Sequence, residues 1–216
     1  MKSTMACIPS GLVIVALAIW GLGAGLRMAP AAEPPRSNPI ADAFVLIFDS
    51  ESIRLHVVAD SLEVRGTYTL LCREPYAEPI ALFYPFPQDS LLGGARMVSL
   101  VIRAGSAAAM PGRWEDPGFG TGVRWWMPPC PGDSLVAEAV YRQQLKTDYA
   151  RYIVTTTRIW GRPLRHAAFE INLPPGAVAV EFSFPFERRE VDGRVFYAFA
   201  TDNFFPDHDV VVRWQR

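Results

Sequence analysis

Ser61–Cys72 alternates without a break: Leu62, Val64, Gly66, Tyr68, Leu70 and Cys72 stand at even positions, and Ser61, Glu63, Arg65, Thr67 and Thr69 at odd ones before Leu71. A helix would scatter both sets around its axis, whereas a strand sends them to opposite faces, so this stretch predicts a strand with one face in a core and one in water. Residues 53–57 alternate likewise, and the polar step Ala59-Asp60-Ser61 between the two predicts a hairpin. β-branched and aromatic runs recur over residues 80–84, 97–102, 123–127, 135–144, 152–158, 167–173, 178–184, 194–200 and 210–214, punctuated by Pro, Gly and Asp. The stretch Leu135-Val136-Ala137-Glu138-Ala139-Val140-Tyr141 contains good helix formers, yet Leu135, Ala137, Ala139 and Tyr141 alternate, which favours a strand. The expected fold is therefore all-β, a two-sheet antiparallel β-sandwich of about ten or eleven strands.

The amino terminus is of a different kind. Lys2 precedes an uncharged run from Ser3 to Leu26 with a continuous apolar centre over residues 12–20, loosened afterwards by Gly21, Gly23 and Gly25. Ala29 and Ala31 supply the small residues of a signal-peptidase site, so residues 1–31 read as a signal peptide cut after Ala31. The competing reading is an uncleaved anchor in which residues 8–26 tether the protein to the inner membrane. Cys7 lies ahead of the apolar run, which argues against lipidation. Residues 32–40 form a Pro-rich linker and residues 41–216 the β-sandwich domain. Both readings place the body outside the cytoplasm, in the periplasm or beyond the cell.

Removing Lys2 and Arg27 with the leader leaves 19 basic against 22 acidic residues, which excludes a general nucleic-acid binder. The exported part keeps two cysteines, Cys72 and Cys130; a single disulfide is the simplest use of such a pair in an oxidising space. Two unpaired thiols are the alternative, since spacing alone does not bring the side chains together.

Three pieces of the chain resemble the vault/inter-alpha-trypsin-type (VIT) β-sandwich: Val64-Arg65-Gly66-Thr67-Tyr68, then Phe83-Tyr84-Pro85-Phe86-Pro87, then Val98-Ser99-Leu100-Val101-Ile102. These match a strand ending in Gly-x-Tyr, an aromatic strand closed by Pro-x-Pro, and a further apolar strand. The resemblance implies an interaction or scaffold module with no catalytic residues. Asp49-Ser50-Glu51-Ser52 does not fit the Asp-x-Ser-x-Ser opening of the adhesion domain that commonly follows in that family.

No GxSxG, HExxH, Walker, GxGxxG or EF-hand pattern occurs in the sequence, and no cofactor is implied. The densest ionisable cluster holds Asp207, His208 and Asp209, which could form a metal or acid–base site but also fit a turn before the last strand. A three-histidine site from His56, His166 and His208 would need an unaided convergence. More suggestive is the Gly-rich segment over residues 114–126: Trp125 and Trp126 would point to opposite faces of a strand, one to the core and one outward. With Trp114 and Arg124 they form the expected ligand- or partner-binding set. The expected function is an exported, non-catalytic binding or structural module of the cell envelope with a protein or glycan partner. The alternatives are a carbohydrate-binding module using the same tryptophans, and a metal-dependent hydrolase centred on Asp207, His208 and Asp209.

Overall fold

A computed structural model describes residues 45–118, 120–130 and 132–216; the leader, the linker and residues 41–44 lie outside the described residues. The predicted hairpin is the first element, β1 (Leu46–Val58) turning through Ala59 and Asp60 into β2 (Ser61–Cys72). Every even position of β2 from Leu62 to Cys72 is buried. The ambiguous stretch is strand β8 (Ser134–Leu145), with Leu135, Ala137, Ala139 and Tyr141 inside. Alternation outweighed helix propensity because β8 is inserted between two long partners, β2 and β4 (Leu92–Ala104), and is paired along its length with both.

The remaining strands are β3 (Ile80–Pro85), β5 (Met110–Pro111), β6 (Arg113–Glu115), β7 (Gly122–Met127), β9 (Tyr149–Tyr152), β10 (Leu164–Asn172), β11 (Val178–Phe182), β12 (Glu187–Val191), β13 (Arg194–Phe204) and β14 (Val210–Gln215). They make an open eight-stranded sheet in the order β12-β13-β10-β1-β2-β8-β4-β5, and two three-stranded sheets, β11-β14-β9 and β3-β7-β6. The fold is thus mostly β and sandwich-like, with fourteen strands and three sheets among the described residues where the sequence predicts ten or eleven strands and two sheets. Nor is it purely antiparallel. β1 and β10 run parallel, joined by the long excursion through β2 to β9, which supplies the crossover that a parallel pair requires.

A second departure concerns residues 152–158, predicted as a strand. The chain leaves β9 after Tyr152 and winds into a 3-10 helix, Thr155–Trp160. The cause is hydrogen bonding by side chains. The Asp209 carboxylate accepts from the backbone N–H of Val154 and Thr155 and from the Thr155 hydroxyl, and the Thr157 hydroxyl donates to the Val154 carbonyl. Threonines that capture backbone partners compete directly with a ladder. Among the described residues no helix is long and apolar enough to cross a membrane.

The core sits where the buried face of the large sheet meets both small sheets. Tyr68 of β2 touches all three: its ring packs edge-on to Tyr84 of β3 and Trp125 of β7, and its hydroxyl reaches Tyr152 of β9. Gly66 makes this possible, because a Cβ there would overlap the Tyr68 hydroxyl. The free edges of the large sheet are protected differently. β12 is exposed throughout and carries the pairs Arg188–Glu190 and Arg189–Glu187, while β5 contains Pro111, which has no N–H to offer.

Cys72 and Cys130 form a disulfide that ties the end of β2 to the segment after β7, next to a paired bridge between Tyr76 and Cys130. Loop closure of this length is worth about 4 kcal/mol in the chain-entropy account. Replacing both cysteines by serine is expected to lower the unfolding free energy by about that amount, read as a shift in urea midpoint. A double variant within experimental error of the parent would show the bond to be energetically idle.

Candidate functional site

Two places in the described chain bring chemistry-bearing groups together. The first is internal. The bulge between Phe48 and Ser50 resets the phase of β1, so that Glu51 joins Ile53, Leu55 and Val57 on the core face and is only 4 % exposed. Its Oε2 accepts a long bond of 3.4 Å from the Tyr152 hydroxyl. The Tyr152 and Tyr68 hydroxyls lie 3.0 Å apart, and those of Tyr68 and Tyr84 2.7 Å apart. Among the described residues Oε1 has no hydrogen-bond partner, and neither have the Tyr141 hydroxyl and the Trp125 indole N–H. Burial pushes the Glu51 carboxyl from an ordinary 4.5 up to about 8, against a weaker opposing pull from Tyr152. Burial also raises the hydroxyls of Tyr68, Tyr84, Tyr141 and Tyr152, so near neutral pH the cluster is predominantly uncharged.

The second place is the outer face of the β3-β7-β6 sheet. Val123, Trp125 and Met127 point inward from β7, while Arg124 and Trp126 point out. Cross-strand pairing sets Ala81, Trp126 and Arg113 in one outward row and Phe83, Arg124 and Glu115 in the next. Arg124 is held by Glu115 at 2.6 Å, whereas the Arg113 guanidinium lies 4.3 Å from the centre of the Trp126 ring. A cavity of about 410 Å³ opens beside this ring, lined by Ile102, Met110, Gly112, Arg113, Trp126 and four prolines, Pro79, Pro111, Pro128 and Pro129. Gly112 is what lets one segment pass from the edge of the large sheet (β5) to the edge of the small one (β6). Its N–H bonds the Leu100 carbonyl at 2.7 Å, and a Cβ there would run into the Leu100 side chain.

The expected set of Trp114, Arg124, Trp125 and Trp126 is therefore divided between two faces. Trp125 is the core member, 4 % exposed and stacked on Tyr84 at 4.5 Å. Trp114 pairs directly with Trp125 and so shares the inner face; it stays 37 % exposed because β6 is an edge strand. Only Arg124 and Trp126 remain together outside. Arg113, Met110 and the flanking prolines escaped the sequence reading, although Arg113 sits one residue before Trp114 and alternation within a hairpin would have selected it over Trp114.

The acidic cluster does not converge. Asp209 is 8 % exposed and fully engaged, its Oδ2 accepting from Arg151 at 2.6 and 2.8 Å and its Oδ1 from the start of the 3-10 helix. His208 contacts the Ser183 carbonyl through Nε2 and Asp207 through Nδ1, and its ring stacks on Phe184. The Ser183 carbonyl and then Asp207 raise its pKa, and His208 in turn lowers that of Asp207. These three residues anchor a turn. His166 bonds Asp202 at 2.7 Å on the open face of the large sheet, and His56 lies six residues along β1 from the partner of His166, so no histidine triad forms. Among the described residues no group of three His, Cys, Asp or Glu side chains is placed to hold a metal ion.

No family model matches this chain, and no curated protein matches it. Among solved structures it is similar to a candidate nutrient-binding protein of Legionella pneumophila, with 13 % identity, a TM-score of 0.53, and coverage of 79 % of this chain and 67 % of that one. It is also similar to an M1 zinc metallopeptidase of Deinococcus radiodurans, with 16 % identity and a TM-score of 0.48 over 78 % of this chain and 42 % of that one. A candidate protease of Parabacteroides distasonis gives 11 % identity and a TM-score of 0.45 over 80 % of this chain and 40 % of that one. The chain thus spans less than half the length of these two peptidase-type neighbours. With the Legionella protein, at that identity, what is shared is fold.

Glu51 makes a pH test available. The folded chain keeps its proton up to about 8 while the unfolded chain loses it near 4.5, so across that window the unfolded state binds fewer protons and stability falls as pH rises. Glu51→Gln is expected to match the parent near pH 4.5 and to exceed it by roughly 2–4 kcal/mol at pH 8, measured by urea unfolding at both values. A difference that does not grow with pH would refute the assignment.

Proposed function

We propose that this chain is an exported, non-catalytic binding module of the cell envelope, a β-sandwich that holds a protein partner at the cavity beside Trp126. The observation that carries this reading is the cavity itself: about 410 Å³, largely apolar, opened at a sheet face by one aromatic ring and one guanidinium. Its size suits an anchoring side chain, and aromatic residues with Arg are what protein interfaces concentrate at their energetic centres. The hydrolase alternative is less well supported at Asp209, whose carboxylate is taken up by Arg151, Thr155 and backbone N–H groups.

Export is supported by the disulfide, a bond that persists in oxidising compartments. We further propose the leader at residues 1–31 as the means, cleaved or retained as an anchor, with the linker at 32–40 as spacer. The VIT-type resemblance belongs to the same reading. Its three matching pieces fall on β2, on β3 with the turn that follows it, and on β4, and each sends residues into the core: Val64 and Tyr68, Phe86, and Leu100 and Ile102.

A benzophenone amino acid placed at Met110 tests the reading directly. Irradiation in envelope extract is expected to yield one discrete adduct with a protein. Adding Trp126→Ala should reduce it about tenfold, while Trp114→Ala on the opposite face should leave it unchanged. Equal loss in both variants, or no adduct, would overturn the assignment.

A further inference from the structure

We propose that the cavity beside Trp126 receives an aromatic side chain flanked by a carboxylate, carried on a segment of the partner protein. The proposal rests on the binding reading above and adds the chemistry of what is bound. Two features of the cavity select the anchor. Proline rings and the Trp126 indole present flat C–H and π surfaces, against which another ring packs with more contact than an aliphatic chain. The volume, about 410 Å³, leaves room for a bicyclic ring as readily as for a phenyl group.

Charge selects the flanking group. Two arginines point outward from this sheet, and they differ in one respect. Arg124 is neutralised by Glu115 at 2.6 Å. Arg113 forms no ion pair among the described residues; its guanidinium lies over Trp126 at the rim of the cavity. The guanidinium, 4.3 Å from the centre of the Trp126 ring, carries its N–H groups in a planar fork that suits a bidentate acceptor. A carboxylate next to the anchor satisfies it, whereas a cationic neighbour is repelled by it.

The same ring carrying opposite charges separates these contributions. Indole-3-propionate and tryptamine are titrated into the intact disulfide-bonded protein, and binding is read from NMR shifts of the Met110 methyl and the Trp126 indole N–H. Saturable binding of indole-3-propionate at least about tenfold tighter than tryptamine is expected. Arg113→Gln should bring the two to equal affinity with the spectrum otherwise unchanged, and Trp126→Ala should remove both. Equal affinities in the parent, a preference that survives Arg113→Gln, or shifts confined to other residues would overturn the proposal. An adduct at Met110 that forms undiminished in Arg113→Gln would leave the binding module standing and sink this inference alone. Absence of any adduct removes the reading on which it rests.

Discussion

Three tyrosine hydroxyls meeting inside the core hold the arrangement of sheets in place. Burial of apolar surface drives the sheets together but carries no direction, so it does not say how far one sheet slides over another. Hydroxyl contacts do. Tyr68 belongs to the large sheet and is tied to Tyr84 in one small sheet and Tyr152 in the other, so a shift of either small sheet breaks a bond in a place water does not reach. Gly66 is part of the same device, since the strand that carries Tyr68 must leave its hydroxyl room.

Glu51 completes the junction and complicates it. A carboxyl with one unpartnered oxygen in a tyrosine-lined interior survives by staying protonated, so the cluster behaves as a neutral polar network at moderate pH and comes under strain as the medium turns alkaline. The network continues outward through the Tyr84–Trp125 stack to β7, whose next residue is Trp126. One strand therefore plugs the core with one indole and shows the other to solvent. The position of the outward ring depends on the packing of the inward one.

Much of the architecture is legible from alternation alone. Long strands buried on one face, such as β2 and β8, announce themselves because each inward residue is apolar and each outward one tolerates water. β12 escapes that reading since all five of its residues are exposed; it is a strand only because β13 offers it a ladder. The 3-10 helix escapes for the opposite reason. Its β-branched residues have strand propensity, yet Asp209, fifty-odd residues away in sequence, claims the backbone N–H groups that a ladder would use. The candidate site is half legible. Alternation says that Trp125 and Trp126 separate, but not which one turns inward, and the cavity is assembled from Pro79, Ile102 and residues 110–113, brought together by pairings that no local pattern reveals. Glu51 was within reach, because the rhythm of Ile53, Leu55 and Val57 extended back by two residues lands on it.

The guarded margins of the large sheet have a bearing on how this molecule meets others. Recruiting a foreign backbone at β12 would bring it against a row of paired ions, and at β5 it would find a proline where a donor is wanted. Extension of the large sheet is hindered at both of its edges by different means. At these two margins recognition falls to side chains, so specificity there can be altered by exchanging a few residues without redesigning the framework.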